Sequence, residues 1–160
     1  IINEKTGSFF FLGGIVTTAD LAYTNTRHED RCGTCSLCIE ACPTGAICDD
    51  RTIDARRCIA YLTIEHKGKM PDELRGNTEN IIFGCDRCQE VCPWNRDAKP
   101  WTNDELKPDF DVTSLTRNDW QTMTPGRFEL LFRSSPIKRT GLEKMKRNIE
   151  FTDSASPEKR

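Results

Sequence analysis

The feature that most constrains this chain is the spacing of its cysteines. Nine cysteines occur in 160 residues, and seven of them fall into two short runs. The first run has the form C-x2-C-x2-C-x3-C-P and begins at Cys32, and the second has the form C-x2-C-x3-C-P and begins at Cys85. Three thiolates at i, i+3 and i+6 can hold three corners of a cubane iron–sulfur cluster, and the cysteine before proline then binds a second cluster. The pattern therefore predicts two [4Fe-4S] clusters.

The second run lacks its first cysteine, which must come from upstream. Cys48 lies in a polar turn, where we expect it at the tip of a hairpin, whereas Cys58 precedes the second run as a first ligand would. We therefore predict Cys58 as the missing ligand, with residues 59–84 as an insertion, and Cys48 as left over. In crosswise ligation, each cluster takes its fourth ligand from the other motif. One cluster is then bound by Cys32, Cys35, Cys38 and Cys92. The other is bound by Cys42, Cys58, Cys85 and Cys88.

Two other interpretations of the cysteines fit less well. Paired C-x2-C units also bind zinc, and short cysteine-rich chains can be disulfide frameworks. However, residues 32–42 offer four thiols at a density that one zinc ion would not use. The chain begins with no hydrophobic signal segment, and thiolate ligands must stay reduced. We therefore expect a cytoplasmic iron–sulfur protein.

The length allows one domain and a small appendage, because 160 residues are 36% hydrophobic. The start without methionine indicates the C-terminal part of a longer protein, so residues 1–25 would end a missing N-terminal domain. Residues 26–100 are predicted to form an α+β, ferredoxin-like double-cluster domain, and residues 101–150 a small helical extension. A disordered tail is expected over 151–160. No apolar stretch approaches the roughly 20 residues of a membrane span.

Basic residues are concentrated near the end of the chain. Residues 1–116 hold 13 Lys and Arg against 19 Asp and Glu, whereas residues 117–160 hold 10 against 6. Apolar residues at helical spacing predict two short helices among these charges, over 125–132 and 141–148. The surface is either a solvated amphipathic face or a patch for nucleic-acid phosphates. Tryptophans could stack on a base, but we expect Trp94, Trp101 and Trp120 to pack in the small core.

Several stretches closely resemble one known family. They are CIAYLTIE at 58–65, MPDELR at 70–75, GCDRCQEVCPWN at 84–95, GSFFFLG at 7–13 and FRSSPIKRTG at 132–141. Together they resemble the epoxyqueuosine reductases over about residues 7–148. The resemblance implies a cobalamin-dependent enzyme with two [4Fe-4S] clusters that removes the epoxide oxygen of epoxyqueuosine at the wobble position of tRNA.

The same resemblance implies cofactors, partners and sites. The cobalamin domain and its proton donor would lie mostly in the missing N-terminal part. The present chain alone would therefore be inactive. Expected partners are a tRNA anticodon stem-loop and a low-potential electron donor, and the protein is expected to be a monomer. Within this chain we assign cobalamin contacts to Gly7, Ser8, Gly13 and Asp86. RNA contacts are assigned to Arg133, Lys138 and Arg139.

A second function remains open at this point. The chain could be a plain electron-transfer module of the ferredoxin type, tethered to another oxidoreductase such as a reductive dehalogenase and without an RNA role. The two functions differ in what they require, because a simple relay has no need of the 59–84 insertion or of the basic extension.

Overall fold

The computed structural model describes residues 1–26, 28–100 and 102–153. Short helices separated by turns make up these parts of the chain. The α-helices are α1 (Leu37–Glu40), α2 (Ile59–Ile64), α3 (Arg87–Glu90), α4 (Arg117–Gln121), α5 (Pro125–Phe132), α6 (Pro136–Thr140) and α7 (Leu142–Asp153). The 3-10 helices are Asp72–Leu74, Pro93–Asn95, Asp104–Leu106 and Val112–Ser114.

The predicted α+β, ferredoxin-like architecture is not confirmed. In the described ranges, β-pairing is limited to isolated antiparallel bridges, Asn3 with Gly7 and Ile47 with Ile53. The second bridge closes the hairpin predicted around Cys48, and the Cys48 N–H donates to the carbonyl oxygen of Thr52 at 2.9 Å. Only fifteen residues separate Cys42 from Cys58, and a tight turn occupies part of them. The hairpin arms are therefore too short for a longer ladder.

The helices α1 and α3 are two copies of one local structure. Each has four residues, and the residues before them, Ser36 and Asp86, have nearly equal φ values of −118° and −116°. Each helix ends two residues before a Cys-Pro pair, and the two helices pack against each other. Proline disfavours the helical conformation in the residue before it, which explains why both helices stop here. The duplicated cysteine motif is therefore also duplicated in backbone structure.

Helices α4 to α7 enclose a hydrophobic core that contains none of the cysteines. Trp120 is 3% exposed, and its ring stacks on Phe132 with centroids 5.4 Å apart and an interplanar angle of 9°. Phe128 also packs against Phe132, with ring centroids 5.0 Å apart. Thr124 caps α5 by accepting a hydrogen bond from the Arg127 N–H, and Pro125 occupies the first turn. The predicted bounds of α5 and the core position of Trp120 are confirmed. Trp94 is only partly buried and belongs to neither core cluster of the described residues, and Trp101 lies outside those residues.

Helix α7 is longer than predicted. It continues to Asp153, so the predicted boundary of a disordered tail at 151 is wrong by three residues. The extra turn forms because Phe151 is buried against Leu62, Met70 and Leu74 of the insertion, and the Arg75 guanidinium lies 4.7 Å from the centre of the Phe151 ring. Burial of an aromatic ring is worth about 2 kcal/mol, which favours the helix over an unfolded end. Residues 154–160 lie outside the described part.

Residues 9–26, before the first cysteine run, have no regular secondary structure and are exposed. They carry large apolar side chains in solvent, such as Phe11 at 98%, Ile15 at 93% and Tyr23 at 94% exposure. No helix among the described residues is long and apolar enough to cross a membrane. The assignment of residues 1–25 to the end of another domain stays a prediction.

Candidate metal centres

The first cysteine run is shaped by a tight turn that leads into α1. The Cys35 N–H donates to the carbonyl oxygen of Cys32 at 2.9 Å, and Gly33 between them has φ +52°, a conformation that favours glycine. Asp30 braces the turn, because its carboxylate accepts the Cys32 N–H at 2.9 Å. This hydrogen bond, followed by that from Arg51, lowers the pKa of Asp30 below its usual value.

The four cysteines of one predicted set line a single cavity. A cavity of about 730 Å³ is lined by Cys32, Cys35, Cys38 and Cys92, and also by Cys88. Apolar side chains from both motifs complete its wall, among them Ile39, Ile47 and Trp94. The cavity therefore brings the last cysteine of the second run beside the first three cysteines of the first run. We call Cys32, Cys35, Cys38 and Cys92 the first cysteine group.

The other predicted set is also brought together. Cys85 interacts electrostatically with Cys58 and Cys42, and Cys88 interacts with Cys85 and Cys58. We call Cys42, Cys58, Cys85 and Cys88 the second cysteine group. Cys88 also lies close enough to Cys38 for their charges to interact, so it lies between the groups.

Burial raises the pKa of two thiols in the second cysteine group, those of Cys85 and Cys88. It is the largest cause that raises the pKa of the Cys85 thiol, and the neighbouring sulfurs of Cys58 and Cys42 add to it. Burial and the sulfurs of Cys85 and Cys58 likewise raise the pKa of Cys88. Thiolates repel one another in a low-dielectric site unless a positive charge lies between them. Bound iron would supply that charge, since metal binding displaces the thiol protons.

Cys42 is prepared for the thiolate form by its hydrogen bonds. Partial burial alone would raise the pKa of Cys42, but donors from the following turn outweigh it and lower the pKa. The Ala46 N–H donates to Sγ at 3.2 Å, and the Thr44 hydroxyl lies 3.6 Å from the same sulfur. Hydrogen bonds to a ligand sulfur are among the factors that set a cluster's reduction potential.

Two further observations bear on the metal chemistry. Cys48 is exposed at the hairpin tip, where its backbone pairs with Thr52. Within residues 1–26, 28–100 and 102–153, no three His, Cys, Asp or Glu side chains converge closely enough to hold a single metal ion. A cubane cluster has four iron corners and spaces its thiolates more widely than a single ion. The two groups are suited in number and kind of donor to a cluster each.

Helix α7 is hydrogen-bonded to the insertion, residues 59–84, which joins Cys58 to Cys85. These hydrogen bonds were not predicted from the sequence. Asn148 is 1% exposed, and its amide donates to the carbonyl oxygens of Thr63 and Ile82, both at 2.9 Å. Arg147 donates to three insertion carbonyls, those of Leu62, His66 and Gly68. Basic and amide residues in an amphipathic helix carry no sequence signal that separates such contacts from a solvated face.

The residues predicted to contact cobalamin have partners inside this chain in three cases of four. The Ser8 N–H donates to Oδ1 of Asn95 at 2.7 Å, and a Cβ added to Gly7 would lie 2.1 Å from the same oxygen. Asp86 precedes α3 and accepts a hydrogen bond from the Gln89 amide at 2.7 Å. A Cβ at Gly13 would meet nothing within 4 Å. None of these contacts by itself points to a corrin ring.

The residues predicted to contact RNA lie on α6 and just after α5. Arg133, Lys138 and Arg139 are all exposed. Lys138 pairs with Glu129 at 2.8 Å, and Arg139 pairs with Glu65 at 2.5 Å. Surface ion pairs of this kind contribute little to stability, so both cations can exchange partners. By contrast, Lys144 and Arg147 donate to backbone carbonyls of the insertion.

Comparison with known proteins agrees with this geometry. Residues 31–95 match the family of 4Fe-4S double cluster binding domains. The chain is 46% identical to an epoxyqueuosine reductase of Cyclobacterium marinum over 94% of this chain and 48% of the relative. It is 40% identical to that of Pseudomonas aeruginosa over 93% of this chain and 41% of the relative. The chain thus spans about half the length, or less, of these relatives.

Solved structures show the same similarity. The epoxyqueuosine reductase of Bacillus subtilis aligns with a TM-score of 0.73 and 31% identity over 84% of this chain and 36% of that one. A second epoxyqueuosine reductase, solved with an epoxyqueuosine-modified tRNA-Tyr stem loop, aligns with a TM-score of 0.73 and 32% identity over 83% of this chain and 35% of that one. The resemblance predicted from the sequence motifs is therefore confirmed.

Proposed function

We propose that this chain is the iron–sulfur part, C-terminal in position, of an epoxyqueuosine reductase. The observation that carries the proposal is that eight cysteines, seven from the two runs and Cys58 from between them, lie in two groups. Each group would hold one [4Fe-4S] cluster. Such clusters take up and release single electrons at potentials set by burial, charge and hydrogen bonds to sulfur.

We propose crosswise ligation, in which each cluster takes three cysteines from one motif and the fourth from the other. Cys92 shares the cavity of Cys32, Cys35 and Cys38, which supports this arrangement. The electrostatic contacts of Cys85 with Cys42 and Cys58 support it for the second group. The duplicated helices α1 and α3, with the hairpin at Ile47 and Ile53, agree with a ferredoxin-like arrangement in which the strands are reduced to bridges.

The proposed reaction is a two-electron reduction. An epoxide becomes an alkene when its oxygen leaves as water, which requires two electrons and two protons. The two clusters would pass electrons from a low-potential donor to the reaction centre, one at a time. The substrate would be epoxyqueuosine in a tRNA anticodon stem-loop, the ligand of the related structure. We place the protein in the cytoplasm, where its thiolates stay reduced.

Cobalamin in the full-length enzyme is a proposal that rests on the family resemblance. It would supply a low-potential cobalt centre for the epoxide. Gly7, Ser8, Gly13 and Asp86 remain the predicted contacts of this chain, and the first 25 residues the predicted edge of the domain that binds it. Three of these four residues contact Asn95 or Gln89. These contacts stabilise the local structure of this chain.

Anaerobic reconstitution tests the metal content directly. We expect about eight irons per full-length chain, about four in Cys58→Ala and about eight in Cys48→Ala. Cys48 is the matched control, because it is a nearby cysteine outside both groups. Loss of iron in Cys48→Ala with full iron in Cys58→Ala would overturn the ligand assignment.

A second assay separates the reductase from a plain electron relay. Reduced full-length protein should convert epoxyqueuosine to queuosine in tRNA, and Cys58→Ala should abolish the conversion. Clusters that accept electrons without any conversion of the modified tRNA would favour the relay module of another oxidoreductase.

A further inference from the structure

The second cysteine group has a geometric problem that the first lacks. In the first run, a tight turn and one helical turn fix the distances between Cys32, Cys35 and Cys38. In the second group, Cys58 and Cys85 are separated by the 26 residues of the insertion. A loop of this length has many conformations, and holding its ends together costs entropy. Some other part of the protein must hold the two ends at the spacing that a cluster requires.

The first tie between the two ends is made by Thr63. This side chain is fully buried, and it lies on α2, five residues after Cys58. Its hydroxyl donates to the carbonyl oxygen of Ile59 at 2.7 Å and accepts the Gly84 N–H at 3.0 Å. Gly84 directly precedes Cys85 and has φ +69°. The hydroxyl therefore joins the helix that follows one ligand to the backbone that enters the other.

The second tie is made by Asn148 from α7. One side-chain amide group donates to the carbonyl oxygens of Thr63 and Ile82, both at 2.9 Å. These acceptors lie five residues after Cys58 and three residues before Cys85. The amide is buried, so its two N–H groups have no access to water as an alternative partner, and leaving them unpaired would be costly.

Arg147 fixes Asn148 and the end of α2. Its guanidinium donates to the carbonyl oxygens of Leu62 at 2.8 Å, His66 at 2.8 Å and Gly68 at 2.7 Å. It also donates to Oδ1 of Asn148 at 2.7 Å, which orients the amide nitrogen toward the two insertion carbonyls. The last carbonyls of a helix lack partners within the helix, and a cation satisfies them well.

We infer that Asn148, oriented by Arg147, is a positioning residue for the second cluster: it sets the spacing of Cys58 and Cys85 although α7 supplies no ligand. This inference rests on the proposed function, because it presumes a cluster at the second cysteine group. It also assigns a role to part of the basic extension that is separate from RNA binding.

The test compares variants of Asn148 and Thr152 in the full-length protein. Asn148→Leu keeps the number and branching of the side-chain heavy atoms and removes both donors. Thr152→Val is the matched control, because Thr152 is also buried on α7 and its hydroxyl donates to the carbonyl oxygen of Ile149 in the same helix. Iron content, the EPR spectrum of each reduced cluster and the two midpoint potentials are measured, with circular dichroism as a check on helix content.

We expect Asn148→Leu to retain about four of about eight irons, or to retain eight with a changed spectrum and potential for the second cluster alone. Thr152→Val should keep eight irons and both spectra. Unchanged iron, spectra and potentials in Asn148→Leu would overturn the inference, and so would equal loss of both clusters. If Asn148→Leu does not fold, Asn148→Ala decides by the same criteria, because it removes the same two donors to Thr63 and Ile82 without placing a larger apolar side chain there. Wild-type protein without eight irons would instead contradict the proposed function.

Discussion

Arg51 places a positive charge beside the first cysteine group. Its guanidinium pairs with Asp30 at 2.5 Å and donates to the carbonyl oxygen of Gly33, and it interacts electrostatically with Cys32 and Cys38. Arg51 adopts φ +64°, a conformation uncommon outside glycine. Arg51 therefore links the two ends of the turn from Asp30 to Gly33 and places its positive charge near Cys32 and Cys38. Both the shape of this turn and the charge would affect a bound cluster.

Replacement of Arg51 should lower the potential of the first cluster. A reduced cluster carries one more negative charge than an oxidised one, so removal of a nearby cation destabilises the reduced form. We expect Arg51→Gln to shift the midpoint potential downward and Asp30→Asn to shift it upward, as followed by redox titration with EPR. Arg56→Gln is the control, since Arg56 pairs with Asp54 on the surface. Equal potentials in all four proteins would contradict an electrostatic role of Arg51.

Gly7 holds the start of the chain against the second motif. It has φ +74°, and a Cβ there would lie 2.1 Å from Oδ1 of Asn95 and 2.7 Å from the carbonyl oxygen of Trp94. We expect Gly7→Ala to weaken this packing by about 1–3 kcal/mol. Hydrogen exchange of the Ser8 amide, which donates to Asn95, should then be about 5- to 150-fold faster. Gly13→Ala, in open space, should leave it unchanged, and equal rates in both variants would refute the close approach.

At the scale of elements, prediction succeeded where local sequence decides the structure. The limits of α5 follow from Thr124, Pro125 and the apolar spacing after them, and the hairpin at 49–53 follows from its polar turn. The end of α7 was missed because Phe151 packs on the insertion, a contact that helical periodicity does not contain. The roles of Arg147 and Asn148 were missed for the same reason, since their acceptors lie more than sixty residues away.

Helix α6 and the end of α5 carry the predicted RNA contacts. We expect replacement of Arg133, Lys138 and Arg139 by glutamine to weaken tRNA binding, and the salt slope of binding to fall by roughly 1 for each phosphate that is no longer neutralised. Iron content should not change. The control replaces Arg56, Lys69 and Lys107, three exposed cations outside the extension's helices that are also ion-paired. Affinity and slope that match the wild type would leave this surface as a solvated helical face.

In the whole molecule, the cysteine motifs and the helical core of α4 to α7 both contribute to the surroundings of the second cysteine group. The cysteine motifs form the part that would hold the clusters, and the core around Trp120 and Phe132 supports α7. Helix α7 in turn contacts the insertion between Cys58 and Cys85. The two ligand sets stay predictions, which the cysteine spacing suggests for seven thiols and the local sequence around Cys58 for the eighth. The support from α7 depends on tertiary contacts and could not be predicted in that way.

Single cysteine variants test the proposed crosswise ligation. Cys35→Ala and Cys85→Ala serve as references, since each removes a ligand from only one group. The measurement is the EPR spectrum of the reduced protein after reconstitution, together with its iron count. We predict that Cys92→Ala gives the spectrum of Cys35→Ala, and Cys42→Ala that of Cys85→Ala, although each altered residue belongs to the opposite sequence motif. A Cys92→Ala spectrum that matches Cys85→Ala would contradict the account.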